Sequence, residues 1–253
     1  MVSLITLTCN NYRQLLETLN SISPDLTVES IVVNCGHCKS TLKYLKKFKG
    51  IVINKDEGIS DAFNKGILAS SGEYVMVLNS GDTILRNDYI LKAERILDNN
   101  EDISFVHSNI LFEDRFAGSL VMHPKMKNIG RGMSYFHQTM VIRRSVLDVV
   151  GLFNKKYKIS MDYDLAVRME KLGMKGLYLD DSPVIKMDGK GVSNTRELKT
   201  MMEAIGSLWE NNYFNFAIIS NLFVRIVLFI MRKLAIKIGA ESLYIKLMKL
   251  KYN

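Results

Sequence analysis

Proline and cysteine are both scarce in this chain of 253 residues, which contains only three of each. So little proline excludes collagen-like and proline-rich architectures. Three cysteines are too few for a disulfide framework, and their number and scatter favour a reducing compartment. Hydrophobic residues make up 47% and charged residues 24% of the chain. This balance excludes wholesale disorder and predicts one large folded domain, or one domain with an appendage.

Three signatures that would assign a function directly are also missing. The chain has no G-x-x-x-x-G-K-[ST] loop and no G-x-G-x-x-G turn, which argues against P-loop NTPases and dinucleotide oxidoreductases. His37 lies between Cys35 and Cys38, but no second Cys/His pair follows at zinc spacing, so we interpret this cluster as a loop. The first residues lack the basic segment of a signal peptide, and we expect a cytoplasmic body.

The net charge of +8 is concentrated in the tail. Residues 211–253 carry a net charge of +6, which leaves +2 for the other 210 residues. A nucleic-acid binder would carry a basic stripe with aromatic residues on its folded body, whereas here the charge lies in an aliphatic tail. We therefore expect no nucleic-acid partner, and a tail that meets anionic lipid.

Strand and helix patterns alternate up to residue 107. Apolar, β-branched runs predict strands at Leu4–Thr8, Ser30–Val33, Ile51–Ile53, Tyr74–Leu78 and Ile103–His107, with helical patterns between them. Such alternation predicts an α/β fold with a mainly parallel sheet that helices cover on both faces. Sheets of this kind bind ligands at the carboxyl ends of their strands.

The pattern changes after residue 107. Two apolar runs flank Glu113–Gly118 like a hairpin, and Arg144–Val150 and Asp162–Leu172 are predicted helices. In the tail, Phe214–Met231 is apolar but is interrupted by polar residues and by Arg225 near its centre, which disfavours a membrane-spanning helix. At 100° per residue, four cations fall on one arc of about 140°: Arg225, Arg232, Lys233 and Lys237. Two alternatives stay open, an in-plane amphipathic helix and a helix that packs on the core with a solvated basic edge.

Three polar segments follow predicted strands or begin predicted helices. Asn79–Asp82 ends the fourth strand, where Asp82 could bind a divalent cation or simply form a turn. Ser160–Leu165 begins a helix, where Asp162 could act as a base or cap the helix. Asp56–Gly66 places a helix N-terminus where it could face a diphosphate. Taken singly, the first two segments are more typical of structural roles.

In this order, the segments resemble family 2 glycosyltransferases of the GT-A fold, and most closely the bacterial branch that builds colanic acid, capsule and O-antigen units. The resemblance covers roughly residues 1–195. It rests on the following matches: Thr8–Asn11, Asp56–Gly66, Gly72–Asp82, His137–Gln138 with Arg143–Arg144, Gly151–Phe153 with Asp162–Arg168, and Gly191–Ser193. The chain departs from the family pattern at Asn79 and Gly81, which replace the two aspartates of the usual metal motif. Asn34 replaces the aspartate that reads the nucleobase, and Met161 replaces the first residue of the catalytic acidic pair.

The resemblance implies inverting transfer of a sugar from a nucleotide-sugar donor to a hydroxyl of a glycan acceptor, which we expect to be lipid-linked. Asp82 is then the ligand of Mg²⁺ or Mn²⁺, and Asp162 is the base. The implied donor-binding residues are Thr8, Asn10, Asn34, Asp56, Asp61, Asn64 and Asp82. The implied acceptor or phosphate contacts are His137, Lys186 and Lys190, and the two lysines flank a glycine-containing loop that could close over the phosphates.

The resemblance also divides the chain into three parts. Residues 1–107 are expected to form the nucleotide-sugar half, 108–200 the acceptor half, and 201–253 a basic amphipathic tail on the inner face of the cytoplasmic membrane. The alternative is a non-catalytic, membrane-associated sugar-binding or scaffolding protein that kept the fold. The loss of two aspartates from the metal motif favours that alternative, and the retained Asp82 and Asp162 disfavour it. The sequence leaves the sugar, the acceptor and the oligomeric state open.

Overall fold

The computed structural model describes residues 1–54, 57–114, 118–124, 129, 133–180, 182–189, 196–213 and 216–252. Its strands are β1 Val2–Thr8, β2 Val28–Asn34, β3 Ile51–Asn54, β4 Tyr74–Asn79, β5 Thr83–Ile84, β6 Phe105–Ser108, β7 Ile110–Asp114, β8 Gly118–Met122, β9 Val141–Arg143, β10 Gly176–Leu179 and β11 Ile185–Asp188. Its helices are α1 Tyr12–Asn20, α2 Lys39–Leu45, α3 Ile59–Ala69, α4 Asp88–Asn99, α5 Arg144–Val150, α6 Met161–Lys171, α7 Glu197–Glu210, α8 Phe216–Lys237 and α9 Glu241–Tyr252, and a short 3₁₀ helix spans His137–Thr139.

Within the described residues, seven strands form the main sheet in the order β10-β6-β9-β4-β1-β2-β3. All pairs in it are parallel except the two that β9 makes with β4 and β6. All seven residues of β1 are buried, because this strand is central and both of its faces are covered. The predicted mainly parallel α/β sheet is confirmed.

Side-chain alternation along β1 divides the core into two layers. Ile5 and Leu7 belong to the layer under α3, α5, α6 and α7, whereas Val2 and Leu4 belong to the layer under α4 and the β7–β8 hairpin. Burying a side chain of this size stabilises the fold by about 1.5–3 kcal/mol. The two layers therefore hold the carboxyl ends of the central strands in a fixed arrangement.

A second sheet, which the sequence did not predict, has the order β5-β11-β7-β8 within the described residues. The hairpin β7–β8 was predicted, but β5 and β11 contain only two and four residues. Lys186 lies opposite Thr83 in the β11–β5 ladder, so it belongs to the strand that precedes the glycine-containing segment. As a result, β11 lies beside the turn that follows β4, and it brings Asp188 to the edge of the main sheet at which β4 ends.

A buried ion pair fixes the helix that carries Asp162. Asp164 accepts from Arg168 Nε at 2.9 Å and from Ser207 Oγ at 2.8 Å. Arg168 Nη1 also donates to the carbonyls of Val150 at 2.6 Å and Gly151 at 3.0 Å. These contacts join the end of α5, the first turn of α6 and α7, so the start of α6 is held from three sides.

The tail forms α8 and α9, and described side chains of both helices pack on the body. Two of the four cations that share one arc of the tail helix are not open to solvent on that arc. Arg232 is 5% exposed and forms an ion pair with Glu197 of α7, and Arg225 is half-buried. Lys233 and Lys237 are exposed. No described helix combines the length and apolarity needed to cross a bilayer.

Candidate functional site

Polar residues meet at the carboxyl edge of the main sheet. Thr8 lies opposite Asn34, Asn34 lies opposite Asn54, and Leu7 lies opposite Asn79 in the strand ladders. Buried apolar strands thus end together in side chains that can hydrogen-bond. This is the edge at which parallel α/β sheets hold ligands.

Asn10 and Asn34 join the two loops that leave β1 and β2. Asn10 has a left-handed backbone with a φ of 57°, and its Oδ1 accepts from the amides of His37 at 2.8 Å and Cys38 at 3.0 Å. Asn34 is buried, and its side chain exchanges hydrogen bonds with the backbone of Gly36 at 3.0 and 3.1 Å. These side-chain amides hold the two loops in shape at the carboxyl edge of the sheet.

The ends of β1 and β2 also carry a disulfide that the sequence analysis did not anticipate. Cys9 and Cys35 are bonded, with their Cα atoms 5.0 Å apart. The pair could not be seen in the sequence, where the two cysteines are 26 positions apart, because their proximity arises only when β1 and β2 become neighbours. Cys38, three residues further on, is free and half-buried.

Helix α3 places Asp61 and Asn64 against the segment that follows α5. Asp61 is buried between Lys155 at 2.8 Å and Lys65 at 2.7 Å, and these cations hold the pKa of its carboxyl well below the usual range. Asn64 makes two bonds with the backbone of Phe153, at 2.8 and 2.9 Å. The polar groups of both side chains therefore tie α3 to the scaffold. These are the same groups that would contact a nucleotide.

Asp82 lies in the turn after β4 and is 5% exposed. Its Oδ2 accepts from the amide of Asn79 at 2.9 Å. Burial raises the pKa of Asp82 to about 6, although the Asn79 amide and nearby His137 lower it, and Asp188 adds to the rise. Few neighbouring groups compensate the charge of this buried carboxylate, so a cation beside it would stabilise its ionised form.

Asp188 is a candidate cation ligand that the sequence analysis missed. It ends β11, and because Lys186 pairs with Thr83 in the antiparallel ladder, the following residues run back past Asp82. The described residues contain no group of three His, Cys, Asp or Glu side chains with the geometry of a metal site. Two carboxylates are nevertheless hard oxygen donors that fit Mg²⁺ or Mn²⁺ when phosphate oxygens and water complete the shell.

His137 connects the two predicted carboxylates. Its Nδ1 lies 3.0 Å from Asp162 Oδ2 and is the donor, because an ionised carboxylate can only accept. Burial lowers the pKa of His137, but the hydrogen bond to Asp162 and the charges of Asp162 and Asp82 outweigh it, so the net shift is upward. Its Nε2 is buried without a hydrogen-bond partner in the described part of the chain. The His137 ring therefore holds Asp162, whose side chain remains 25% exposed.

Four further predicted residues complete the set. Thr8 is buried, and its hydroxyl donates to Asn11 Oδ1 at 2.7 Å. Lys186 lies two residues before Asp188, so strand alternation places both on one face of β11. Asp56 and Lys190 lie outside the described residues. The structure thus brings Asp82, His137, Asp162 and Asp188 into one electrostatically connected group.

The comparisons with known proteins agree with this geometry. The family model described as glycosyl transferase family 2 matches residues 3–152. A PGL/p-HBAD biosynthesis glycosyltransferase, found in Mycobacterium tuberculosis and Mycobacterium bovis, is 23% identical over 182 residues, which cover 66% of this chain and 69% of that protein.

Solved structures share the fold. S. aureus TarS in complex with UDP-GlcNAc has a TM-score of 0.63 at 17% identity, covering 82% of this chain and 66% of that one. Mannosyltransferase PcManGT from Pyrobaculum calidifontis, in complex with GDP-Man and Mn²⁺, has a TM-score of 0.64 at 13% identity, covering 85% and 64%. Glucosyl-3-phosphoglycerate synthase from Mycobacterium tuberculosis, with Mn²⁺, UDP and phosphoglyceric acid, has a TM-score of 0.61 at 15% identity, covering 83% and 78%.

Proposed function

Because the chain belongs to glycosyl transferase family 2, we propose that it transfers a sugar, with inversion, from a nucleotide-sugar donor to a hydroxyl of a glycan acceptor. The observation that carries this proposal is the connection of Asp82 and Asp162 through His137 at the carboxyl edge of the sheet. One carboxylate is buried where a cation would bind, and the other is exposed where an acceptor can reach it. Sugar transfer requires both environments, because a cation must neutralise the charged leaving group and a carboxylate must accept the proton of the neutral hydroxyl.

The donor half of the proposal rests on residues 1–107 together with Asp188 of β11. Thr8, Asn10 and Asn34 organise the loops for the nucleoside, and Asp82 with Asp188 would hold Mg²⁺ or Mn²⁺. When bound, the cation supplies charge neutralisation for the nucleoside diphosphate as it leaves. The structural neighbours solved with Mn²⁺ and either GDP-Man or UDP support this assignment.

The acceptor half rests on residues 108–200, where α6 presents Asp162. This carboxylate takes the proton of the acceptor hydroxyl as its oxygen attacks the anomeric carbon. The bond to His137 holds the carboxylate in one orientation, which is the precondition for efficient proton transfer. Lys186, on the face of β11 that carries Asp188, is placed to meet phosphate oxygens.

We propose that the acceptor is lipid-linked and belongs to a surface polysaccharide of the colanic acid, capsule or O-antigen type. The support is the resemblance of the motifs and the exposed apolar stripe of α8. That stripe contains Phe223, Val227, Ile230 and Leu234, which lie within about 60° of one another on the helix and are all exposed. Lys233 and Lys237 flank it, so the tail offers both apolar insertion and attraction to anionic lipid at the inner face of the cytoplasmic membrane.

Vesicle binding tests the membrane part. A V227E/L234E variant should lose co-sedimentation with vesicles that contain anionic lipid, and the wild type should bind less at high salt without detaching fully. Leu68 of α3 is 72% exposed on the body, so L68E is the matched control and should bind like the wild type. Equal pelleting of V227E/L234E and the wild type would contradict the proposal.

Nucleotide binding tests the transferase part. Thermal unfolding of the full-length protein with UDP, GDP, TDP or CMP, each with and without Mn²⁺, should show one nucleotide that stabilises only in the presence of the cation. A ligand at 100 times its dissociation constant stabilises by about 2.7 kcal/mol. No stabilisation by any of the four, with or without Mn²⁺, would contradict the proposed donor site.

A further inference from the structure

Every cysteine of the chain lies at one corner of the donor edge. Cys9 directly follows β1, Cys35 directly follows β2, and the disulfide joins these two neighbouring strand ends. Cys38 is three residues from Cys35, and its amide donates to the side chain of Asn10, the residue after Cys9. The free thiol and the disulfide therefore share one small loop cluster, and glycosyl transfer uses none of these three sulfurs.

We propose that Cys9, Cys35 and Cys38 form a thiol–disulfide exchange site whose co-reactants are low-molecular-weight thiols and disulfides of the glutathione class. Disulfides in a reducing compartment are usually transient and redox-sensing, and the proposed cytoplasmic location of this chain gives its disulfide that character. Cys9 is exposed and Cys35 is half-buried, so a small thiol can reach the bond.

Cys38 has the properties of the attacking thiol. It follows Cys35 at Cys-x-x-Cys spacing, at which two thiols can pair. Hydrogen bonding, chiefly from the backbone amide of Thr41, lowers the pKa of the Cys38 thiol and increases its thiolate fraction near neutral pH. A thiol with a lowered pKa is also the better leaving group, so Cys38 is the sulfur that the cluster releases.

The oxidation proceeds in three exchanges that balance. The Cys38 thiolate attacks a small disulfide, forms a mixed disulfide and releases one small thiolate. Cys35, as its thiolate, attacks the Cys38 sulfur and releases the second small thiolate, which takes up the proton that Cys35 has lost. Cys9, as its thiolate, then attacks Cys35, giving the Cys9–Cys35 bond of the structure and returning Cys38 as a thiolate, and the proton that Cys9 has lost goes to the first small thiolate. Two protein thiols are oxidised, and one small disulfide is reduced to two thiols.

The disulfide fastens the loop after β1 to the loop after β2. The two loops already approach closely, since a Cβ added at Gly36 would lie 2.4 Å from the backbone nitrogen of Asn10. Pinning these loops preorganises the surface around Asn10 and Asn34. This consequence rests on the proposed function, and we expect the oxidised protein to bind its nucleoside diphosphate several-fold more tightly than the reduced protein.

The first experiment tests the exchange chemistry alone. Reduced, desalted full-length protein is treated with glutathione disulfide, quenched with acid and mapped by mass spectrometry without reduction. The wild type should end with Cys9–Cys35 bonded and two glutathiones released per chain. C9S should stop at a Cys35–Cys38 bond, C35S should stop at a glutathione adduct of Cys38, and C38S should oxidise at least about tenfold more slowly.

Three results of this experiment would refute the proposed exchange site. These are oxidation of C38S at the wild-type rate, a wild type that accumulates only glutathione adducts, and the same order of products in guanidinium-denatured protein. Limiting iodoacetamide on the reduced wild type needs no variant and should alkylate Cys38 before the other two cysteines. Equal labelling of the three cysteines would also refute the proposal.

The second experiment measures nucleotide affinity in the oxidised and reduced wild type, with C9S, which cannot form the Cys9–Cys35 bond, as the control. The affinity should fall on reduction of the wild type and stay constant in C9S. Equal affinity in both wild-type forms refutes the coupling between the disulfide and the donor site. Absence of nucleotide binding in both forms, with exchange intact, counts against the proposed function and leaves the exchange site standing.

Discussion

Replacing Asp82 by Asn should separate the stability of the fold from its capacity to bind a cation. The carboxyl group is buried, and its pKa is about 6, against an ordinary value of 3.8. A group whose pKa is raised by folding binds its proton more tightly in the folded state. The folded state therefore loses stability as the pH rises from about 4 to about 6, and the loss is complete above that range.

A rise of roughly two pKa units corresponds to about 3 kcal/mol of lost stability at neutral pH. Asn removes this cost and can still accept from the amide of Asn79. Without metal, D82N should therefore be more stable than the wild type at pH 7.5, by up to about 3 kcal/mol. A gain of 2 kcal/mol corresponds to roughly 4–8 °C in Tm for a chain of this size. At pH 4 the difference should nearly vanish.

Thermal unfolding at both pH values, with and without Mn²⁺ and a nucleoside diphosphate, measures all of these terms. The wild type should gain stability from the cation and nucleotide together, and D82N should not. Asp148 is an exposed carboxylate on α5, so D148N is the matched control and should behave like the wild type under every condition. Equal stability of D82N and the wild type at pH 7.5, or full stabilisation of D82N by Mn²⁺ and nucleotide, would refute the reasoning.

The remaining predictions concern the acceptor side and the scaffold. D162N should lower the transfer rate by about 10² or more with little change in Tm, because the Asn side-chain oxygen can still accept from His137 Nδ1; a normal rate would contradict the base assignment. D164N should instead unfold the protein more easily, by about 3 kcal/mol, since it leaves half-buried Arg168 poorly paired, and urea titration measures this. N64A should cost about 1–2 kcal/mol in the same titration while leaving the nucleotide affinity unchanged; weaker nucleotide binding would show a donor contact instead. Deleting residues 211–253 should abolish vesicle binding, and a truncation that pellets like the full chain would exclude a membrane role for the tail.

The sequence predicted the parts of the fold in which local pattern and burial agree. The continuous apolar run of β1 could only be a central parallel strand, and the polar turn after β4 therefore had to lie at the ligand edge. The helix that presents Asp162 was predicted within one residue of its bounds. Both predicted carboxylates accordingly lie at the edge that the strand pattern indicated.

The missed features depend on partners distant in sequence. The strands β5 and β11 are too short to show a period, so the placement of Asp188 beside Asp82 follows only from their pairing. The Cys9–Cys35 bond depends in the same way on the β1–β2 ladder. On the tail, helical geometry correctly grouped the cations, but only the position of Glu197 decides that Arg232 turns inward.

The central claim is that this chain transfers sugar from a nucleotide donor by using a cation at Asp82 and a base at Asp162. The most direct measurement is the release of nucleoside diphosphate from nucleotide sugars by full-length protein, in the presence of membrane lipid extract as the source of acceptor. Release should require Mn²⁺ or Mg²⁺, stop in EDTA, and fall by about 10² or more in D162N while that variant still binds the donor. Undiminished release in EDTA, or equal rates for D162N and the wild type, would contradict the account.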